Sequence, residues 1–583
     1  MKTSAQLDSM LRDIDHKSYP AYKTLKGFYD FGSYSLSIDH VQGDPFASPS
    51  RLTLHITDKS SGFSPDFWSS EDRKTAFCDF LLRQFEKAVQ DYSFQAKGSG
   101  KSGALFTTRC GPQVLRRTAC TVREKTILMR FEAGFPANGR TINSRELRKI
   151  LFDYLPKCAE KSLYYKNISQ SALQNAMELY EDQQALRTFL PENDLIAFVA
   201  DGAVLPRKSG VSNLPMKEAV PFSSPASMKV SFSLPHRGRI TGMGIRKGIT
   251  LITGGGYHGK STLLKALETG VYNHVAGDGR EFVITDASAV KLRAEESRII
   301  KRVNISPFIN HLPNGKDTSS FSTEDASGST SQAAGVMEGI EAGAKLFLID
   351  EDTCATNFMV RDELMRRVIS PDKEPITPFL SRIRPLFSQL GISTILVVGS
   401  SGAFFHTADC VLQMDNYQAK DITTRAKKEA EDYNASRAGS LGESSGADPF
   451  CFPRGIMNRT YRPAVPKSGN DHRRRSVQNP ERDYRPPKIK VQGKDSLFYD
   501  KSMIDLRYVE QLADEEQTRA LGYILLYLNT HLDSPVPLSD HLPGLYEKIV
   551  REGMESITSW DCPPFMALPR LQEIYACINR CRF

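Results

Sequence analysis

The chain has 583 residues, which is too long for a single compact domain and predicts three or four parts. Hydrophobic residues make up 40% and charged residues 25% of it. This composition excludes an intrinsically disordered chain, and no apolar run approaches the roughly 18 residues of a transmembrane helix. The net charge of +8 is concentrated in residues 451–494, where twelve Lys and Arg accompany three acidic residues.

The N-terminus and the cysteines bear on the cellular compartment. The first twenty residues mix acidic and basic side chains and lack an apolar segment, so they resemble neither a secretory signal nor an acid-poor transit peptide. The ten cysteines are scattered without zinc-ligand spacing, which favours a reducing compartment. We therefore expect a protein of the cytoplasm or nucleus with no membrane partner, and a mitochondrial location stays open.

In chain order, residues 1–165 predict an N-terminal α/β domain. Runs rich in β-forming residues cover Arg51–Thr57 and Thr121–Phe131, and amphipathic helical patterns cover Lys74–Tyr92 and Ser144–Leu155. This region contains no familiar catalytic motif.

The remaining regions differ from one another in composition. Residues 166–432 begin with a helical pattern over 168–200 and then alternate strand, glycine-rich turn and helix, which predicts an α/β nucleotide-binding core. Residues 433–493 are rich in Gly, Ser, Pro and Arg and predict a disordered basic linker. Residues 494–583 have apolar side chains at helical spacing and predict a small helical C-terminal domain.

The strongest motif follows the apolar run Ile249–Thr253 and fits the pattern G-x-x-x-x-G-K-[ST]. Glycines let backbone N–H groups point at phosphate oxygens, and the helix that follows adds the positive end of its dipole. The spacing predicts that Lys260 reaches the β- and γ-phosphates of ATP and that Ser261 ligates Mg²⁺. The predicted phosphate-binding residues are Gly254, Gly255, Gly256, Tyr257, His258, Gly259, Lys260, Ser261 and Thr262.

A second apolar strand, residues 346–349, ends in an acidic pair. An Asp at the carboxyl end of a strand suits the Mg²⁺ shell, so Asp350 joins Ser261 as a predicted metal ligand. Glu351 follows and is placed to polarise the attacking water. Glu351 and Lys260 are the predicted catalytic residues.

A small-residue turn ahead of this strand resembles the ABC signature L-S-G-G-Q. It reads Ser327-Gly328-Ser329-Thr330-Ser331-Gln332 and opens a predicted helix. Ser327 lies 23 residues before Asp350, which is the register of ABC ATPases. Residues 354–357 resemble the D-loop that follows the acidic pair in those proteins.

Three positions of the nucleotide site stay open in the sequence. Phe232, 22 residues before Gly254, either stacks on adenine or is a buried strand residue. Residues 399–401 read Gly-Ser-Ser where transporter subunits have a switch histidine, so the γ-phosphate sensor is missing or is a serine hydroxyl. The glutamine of a Q-loop is not recognisable, and Asn304 or Ser306 lies in the right interval.

Several longer strings resemble the family of predicted ATPases of the ABC class. They are GGGYHGKSTLLKALE, DGREFVIT, ISPFI, ASGSTSQAAG, LIDEDTCATNFMVRD, EPITPF and DPFASPSR. The resemblance covers most of residues 1–424 and the stretch 488–530. It implies an N-terminal domain, an ABC-type P-loop core and a small C-terminal domain. The family includes an RNA-binding ATPase of a mitochondrial RNA-editing complex.

The resemblance and the motifs together predict an enzyme that binds and hydrolyses ATP with Mg²⁺. In ABC ATPases the phosphate cradle of one subunit and the signature of another close on the same nucleotide. A chain with one cassette is therefore expected to form a head-to-tail homodimer through ATP, with Ser327, Gly328 and Ser329 contributed in trans.

The basic segment 451–494 is the sequence feature that bears on the partner. Its cations alternate with Phe452, Tyr461 and Tyr484, a pattern that suits a phosphate backbone with occasional base stacking, while the alternative is a solvated tether. RNA is favoured through the family resemblance. We expect ATP-driven closure coupled to RNA binding or remodelling, and the alternative is a nucleotide-switched protein scaffold or assembly factor without nucleic acid.

Overall fold

The first domain is built on a seven-stranded sheet. The computed structural model describes residues 1–362, 368–370, 373–438, 450–453, 459–463, 487–558 and 562–582. The strands of this region are β1 (Lys2–Thr3), β2 (Gly27–Asp30), β3 (Ser35–His40), β4 (Ser50–Thr57), β5 (Leu105–Phe106), β6 (Gln113–Val114), β7 (Cys120–Arg123), β8 (Thr126–Ala133), β9 (Ala137–Asn138) and β10 (Thr141–Ile142). Its helices are α1 (Ser4–Asp13), α2 (Asp58–Ser61), α3 (Glu71–Gln90), α4 (Ser144–Lys149) and α5 (Leu155–Ser162), with a π-helical turn at Ile150–Tyr154 and 3₁₀ turns at Tyr19–Leu25, Pro65–Trp68 and Tyr165–Asn167.

The centre of this sheet is the antiparallel pair β4 and β8. Every second residue of β4, including Leu52 and Leu54, is buried, as expected for a strand with one face on a core. Helix α3 covers that face, and the rings of Phe85 on α3 and Phe131 on β8 lie 5.7 Å apart. The β-rich run predicted over Thr121–Phe131 forms the hairpin β7–β8.

That hairpin turns at Glu124 and Lys125, whose φ angles are 44° and 65°. Two successive residues with positive φ form the tight turn that matches the twist of paired strands. The sequence places charged residues there instead of Asn-Gly, so the turn has no familiar signature.

Within the described residues, the central domain is built on a six-stranded and a four-stranded sheet, with two further two-stranded pairings. Its strands are β11 (Leu195–Ala200), β12 (Lys229–Leu234), β13 (Gly238–Arg246), β14 (Ile249–Thr253), β15 (Asn273–His274), β16 (Val283–Thr285), β17 (Val290–Leu292), β18 (Arg298–Val303), β19 (Phe321–Ala326), β20 (Leu346–Asp350), β21 (Ser393–Val397), β22 (Cys410–Asp415) and β23 (Gln418–Asp421). Its helices are α6 (Gln170–Glu192), α7 (Lys260–Thr269), α8 (Gly328–Glu341), α9 (Thr356–Met359), α10 (Phe379–Leu390) and α11 (Thr423–Ala438), with 3₁₀ turns at Ala226–Met228, Glu351–Thr353 and Gly402–Thr407.

The larger sheet has the order β17-β20-β21-β14-β22-β23 and is parallel except for β23. Strands β20 and β21 are buried along their whole length and β14 along all but its last residue, as parallel strands covered on both faces are. The smaller sheet, β12-β13-β11-β16, is antiparallel. It includes the last residues of the helical pattern predicted over 168–200, because α6 ends at Glu192 and β11 follows.

The C-terminal domain combines helices with a small sheet. Its strands are β24 (Thr460–Tyr461), β25 (Ile489–Gln492), β26 (Ser496–Tyr499), β27 (Ser502–Asp505) and β28 (Val536–Pro537). Its helices are α12 (Glu515–His531), α13 (Leu538–Glu552) and α14 (Leu571–Asn579), with a 3₁₀ turn at Met554–Ile557. The helical prediction is correct for the later part, whereas β25, β26 and β27 form an antiparallel meander that packs on α12. Within the described ranges, no helix has both the length and the apolar character needed to cross a bilayer.

The predicted disordered linker, 433–493, is wrong at several described residues. Helix α11 continues to Ala438, and β24 pairs with β28 of the C-terminal domain. Tyr461 is buried and donates its hydroxyl to Asn529 Oδ1 at 2.9 Å, and Phe452 packs into the core of the central domain. These two rings are therefore not free to stack on bases. Residues 464–486, with Tyr484, lie outside the described residues.

Arg459 is a third described residue of this segment that is anchored. Its guanidinium forms a buried ion pair with Glu341 at the end of α8 and donates to Asn579 Oδ1 of α14 at 2.7 Å. The segment that the composition predicts to be a loose tether thus joins the central domain to the C-terminal domain.

Replacing Arg459 by alanine tests this anchor. The substitution leaves the Glu341 carboxylate buried without its cation, so it should cost about 3 kcal/mol of stability and lower the melting temperature. Arg462→Ala is the matched control, because Arg462 is exposed, and it should change stability by less than about 0.5 kcal/mol. The measurement is thermal denaturation of both variants. Equal melting temperatures would contradict the stabilising role of Arg459.

Candidate nucleotide-binding site

The predicted phosphate-binding loop, residues 254–262, follows β14 and includes the first residues of α7. It is called the cradle below. Gly254 has a φ of 135°, and a Cβ at this position would lie 2.2 Å from the carbonyl oxygen of Met414. Gly259 has a φ of 98° and is the N-cap residue that directly precedes α7. Only glycine fits both positions without strain, so the sequence pattern has a direct steric cause.

Lys260 lies across its own loop. Its ammonium donates to the carbonyl oxygens of Gly254 at 2.7 Å and Gly255 at 2.9 Å. This holds the positive charge at the mouth of the cradle, where a triphosphate would enter.

The other predicted cradle residues are mostly open to solvent. Gly255, Gly256, Tyr257 and Ser261 are exposed, and Tyr257 is 99% exposed with a φ of 63°. Gly254, His258, Gly259, Lys260 and Thr262 are partly buried. The cradle is thus a surface feature that one chain leaves uncovered.

The acidic pair lies at the same edge of the sheet. Asp350 is the last residue of β20 and is 8% exposed, and Glu351 begins the 3₁₀ turn that follows. Strands β20 and β21 are parallel neighbours, and β21 pairs with β14. The carboxyl ends of these strands therefore bring the acidic pair and the cradle together, as is typical of ligand sites in α/β sheets.

Glu351 is held by the loop that follows β21. Its Oε2 accepts from the backbone N–H of Gly399 at 2.6 Å and of Ser400 at 3.1 Å, and its Oε1 accepts from the Ser400 hydroxyl at 3.1 Å. The serine found in place of a switch histidine therefore contacts the predicted catalytic carboxylate. The sequence predicted a role for the serine hydroxyl, but it gave no sign of the backbone N–H donors of Gly399 and Ser400.

The Q-loop candidates bond to each other. The Ser306 hydroxyl and backbone N–H donate to Asn304 Oδ1 at 2.7 Å and 3.1 Å. Both side chains thus bond within their own turn, and these bonds give neither of them a contact with the cradle.

The signature turn forms the N-terminus of α8. Ser327 caps the helix, its hydroxyl accepting from the backbone N–H of Thr330. Ser327 is exposed and Gly328 partly buried, whereas Ser329 is only 8% exposed. Of the three residues predicted to act in trans, the first two are therefore the accessible ones.

The signature helix is joined to the D-loop. Gln332 is buried and its Oε1 accepts from the backbone N–H of Ala355 at 2.9 Å. Burial raises the pKa of the neighbouring Cys354 thiol to about 12, so this cysteine stays protonated and is not a nucleophile. The turn and the D-loop thus form one unit on the face of the core that carries α8.

Phe232 does not lie in the nucleotide site. Its side chain is 9% exposed within the antiparallel sheet, stacked on Phe189 at 5.6 Å and edge-on to Phe198 at 5.7 Å between ring centroids. With Phe189 of α6 stacked on it, its ring is not available to adenine. The prediction of Phe232 as a nucleotide-binding residue is therefore corrected, and the buried-strand alternative describes it.

Three family models match the chain. The model described as ATPase of the ABC class N-terminal matches residues 4–166, and the ABC ATPase P-loop domain matches residues 169–446. The chain belongs to the ATPases of the ABC class. A third model, the MRB1590 C-terminal domain, matches residues 488–583. The predicted fold class, an ABC-type P-loop core between an N-terminal α/β domain and a helical C-terminal domain, is confirmed.

A curated relative matches part of the chain. An uncharacterized protein of Methanocaldococcus jannaschii, MJ1628, is 30% identical over 278 residues, which cover 46% of this chain and 61% of that protein. The chain thus spans less than two thirds of the length of this curated relative.

Two solved structures match part of the chain. CbiO1 of Clostridium perfringens, part of an ABC transporter complex, matches 42% of this chain and 95% of its own at 13% identity and a TM-score of 0.26. A bacterial Atm1-family ABC exporter with ATP bound matches 43% of each chain at 15% identity and a TM-score of 0.24.

Proposed function

We propose that this chain hydrolyses ATP as a head-to-tail homodimer. The observation that carries the proposal is the convergence of Lys260, Asp350 and Glu351 at the carboxyl edge of the parallel sheet, with Glu351 held by Ser400. Catalysis of phosphoryl transfer consists mostly of positioning and charge stabilisation, which such an arrangement supplies.

Each side chain has a definite task in this proposal. Lys260 exchanges its bonds to the loop carbonyls for the β- and γ-phosphate oxygens. Glu351 orients the attacking water and accepts its proton. The three donors around Glu351 fix the carboxylate direction, which is the requirement for a base that acts on one particular water.

The side chains at this edge fit Mg²⁺. This ion is usually bound through one or two carboxylates together with phosphate oxygens. Asp350 and Ser261 would hold it, and it supplies neutralisation of the charge on the β- and γ-phosphates when bound. Among the residues that the structure describes, no group of three or more His, Cys, Asp or Glu forms an all-protein metal cage, in keeping with an ion completed by the nucleotide.

Two features support the homodimer. The cradle is open, and its glycines contact Met414 and Tyr417, whereas Gly328 of the signature turn lies against Ala294 and Ala355. Cradle and signature are therefore built on different parts of one chain. A second copy would cover each cradle with the exposed Ser327 and the partly buried Gly328 of its partner.

Paired variants test the chemical step. Glu351→Gln keeps one oxygen that accepts from Gly399 but removes the base, so ATP hydrolysis should fall at least about 100-fold while ATP still binds and the dimer accumulates. Lys260→Ala should lose ATP binding. The measurements are phosphate release and light scattering with ATP, and Glu324→Gln on the exposed face of β19 is the control. Hydrolysis by Glu351→Gln at the parental rate would show that another group is the base.

We further infer that the nucleotide cycle acts on RNA. The exposed Lys490 lies in β25 and the exposed Lys488 directly precedes that strand. Ile489 between them packs toward α12, so the two lysines lie on the face that points away from this helix. They continue the basic stretch of the sequence, and the match to the MRB1590 C-terminal domain covers them. A phosphate backbone is the partner that such a face suits.

The salt dependence of RNA binding tests this partner. The double variant Lys488→Ala, Lys490→Ala should reduce the slope of log K against log salt by about 1.4 on a single-stranded oligonucleotide, since each neutralised phosphate contributes about 0.7. Lys494→Ala is the matched control, because the Lys494 ammonium is held by the carbonyl of Leu512 at 3.0 Å. An unchanged slope in the double variant, measured by fluorescence anisotropy, would remove this face from the RNA site.

A further inference from the structure

With Phe232 in the core, the side chain that contacts the nucleobase has to come from elsewhere. The turn between β22 and β23 presents a candidate at the edge of the cradle. It contains Asn416 and Tyr417, with φ angles of 48° and 67°. Two-residue turns of this kind normally have Asn-Gly, because a side chain is unfavourable at positive φ. An aromatic residue at the glycine position is a strained choice, and such strain concentrates at functional sites.

The turn is bonded to the cradle itself. The backbone N–H of Asn416 donates to His258 Nδ1 at 2.9 Å, and that of Tyr417 donates to the His258 carbonyl at 3.2 Å. The Asp415 carboxylate, which starts the turn, pairs with Lys420 at 2.6 Å. The ion pair braces the hairpin, and the two bonds to His258 fix the position of the turn relative to the phosphate-binding loop.

The Tyr417 ring lies beside the last glycine of the cradle, Gly259. A Cβ on Gly259 would be 3.2 Å from Tyr417 Cδ1, so the edge of the ring contacts this part of the loop. The side chain is nevertheless 55% exposed. A large apolar ring next to the cradle is thus presented to solvent.

The strand order gives the direction in which a nucleotide would lie. Glu351 and Ser400 follow β20 and β21, on one side of β14, and mark the γ-phosphate end of the site. Tyr417 follows β22, on the other side of β14. A triphosphate with its γ-phosphate toward Glu351 therefore extends its nucleoside toward Tyr417.

We propose that Tyr417 stacks on the base of the bound nucleoside triphosphate. This inference rests on the proposed function, since it names the base contact of the same site. Stacking on an aromatic ring accepts any base and favours the larger purines. The site therefore discriminates purine from pyrimidine triphosphates through the ring of Tyr417.

Calorimetry of the full chain with ATP and with inorganic tripolyphosphate tests the proposal. Tyr417→Ala should weaken ATP binding about tenfold or more and leave tripolyphosphate binding unchanged, because only the base contact is removed. Tyr417→Phe should retain ATP affinity, and Tyr433→Ala, at another exposed tyrosine, should change neither ligand. CTP should bind more weakly than ATP to the parental chain, and this difference should shrink in Tyr417→Ala.

The contrary results are distinct. Equal loss of ATP and tripolyphosphate in Tyr417→Ala would mean that the residue only supports the loop, and unchanged affinity for both would mean that it makes no contact. Either result overturns the inference and leaves the proposed function standing. A folded parental chain that binds neither ligand would overturn the proposed function and this inference with it.

Discussion

The parallel pairing of β20, β21 and β14 is the constraint on which the site depends. The carboxyl ends of these three strands lie at one edge of the sheet, and so do the loops that follow them. Residues that are far apart in sequence are therefore close together in space at this edge. The hydrogen bonds from Gly399 and Ser400 to Glu351 then convert this proximity into a fixed direction for the carboxylate. A histidine is absent at this position in the sequence, and the backbone does part of the positioning that a side chain would do.

Buried ion pairs connect the signature helix α8 to the rest of the molecule. The signature helix α8 carries Glu338 and Glu341, which pair with Arg298 and Arg459. Arg459 also contacts Asn579 of α14, so the C-terminal domain is fastened to the helix that begins with the signature turn. Such pairs hold a geometry more than they add stability, because the cost of removing both charges from water offsets much of their attraction. In the proposed dimer, a movement of α8 would therefore also move the residues of the C-terminal domain that contact Arg459.

The sequence predicted the parts of the site that are local. The cradle follows from its glycines, whose φ angles and close approach to Met414 exclude other residues, and the acidic pair follows from its place after an apolar strand. What could not be predicted depends on packing between distant segments. Phe232 packs against α6 because Phe189 of that helix stacks on it, and the sequence around Phe232 does not show this contact. Arg459 and Tyr461 are anchored, but they lie in a segment whose average composition is that of a linker. The Tyr417 turn lacked the Asn-Gly pair that marks such turns.

The central claim is that each cradle is completed by the signature turn of a second copy. Mixing two inactive variants tests it most directly. Lys260→Ala destroys the cradle, and Gly328→Asp, which has room for a Cβ beside Ala294, places a negative charge in the signature turn. In a mixed dimer one intact cradle meets one intact turn, so an equal mixture should recover about a quarter of the parental ATP hydrolysis. Mixed dimers that form but recover no activity would contradict the account.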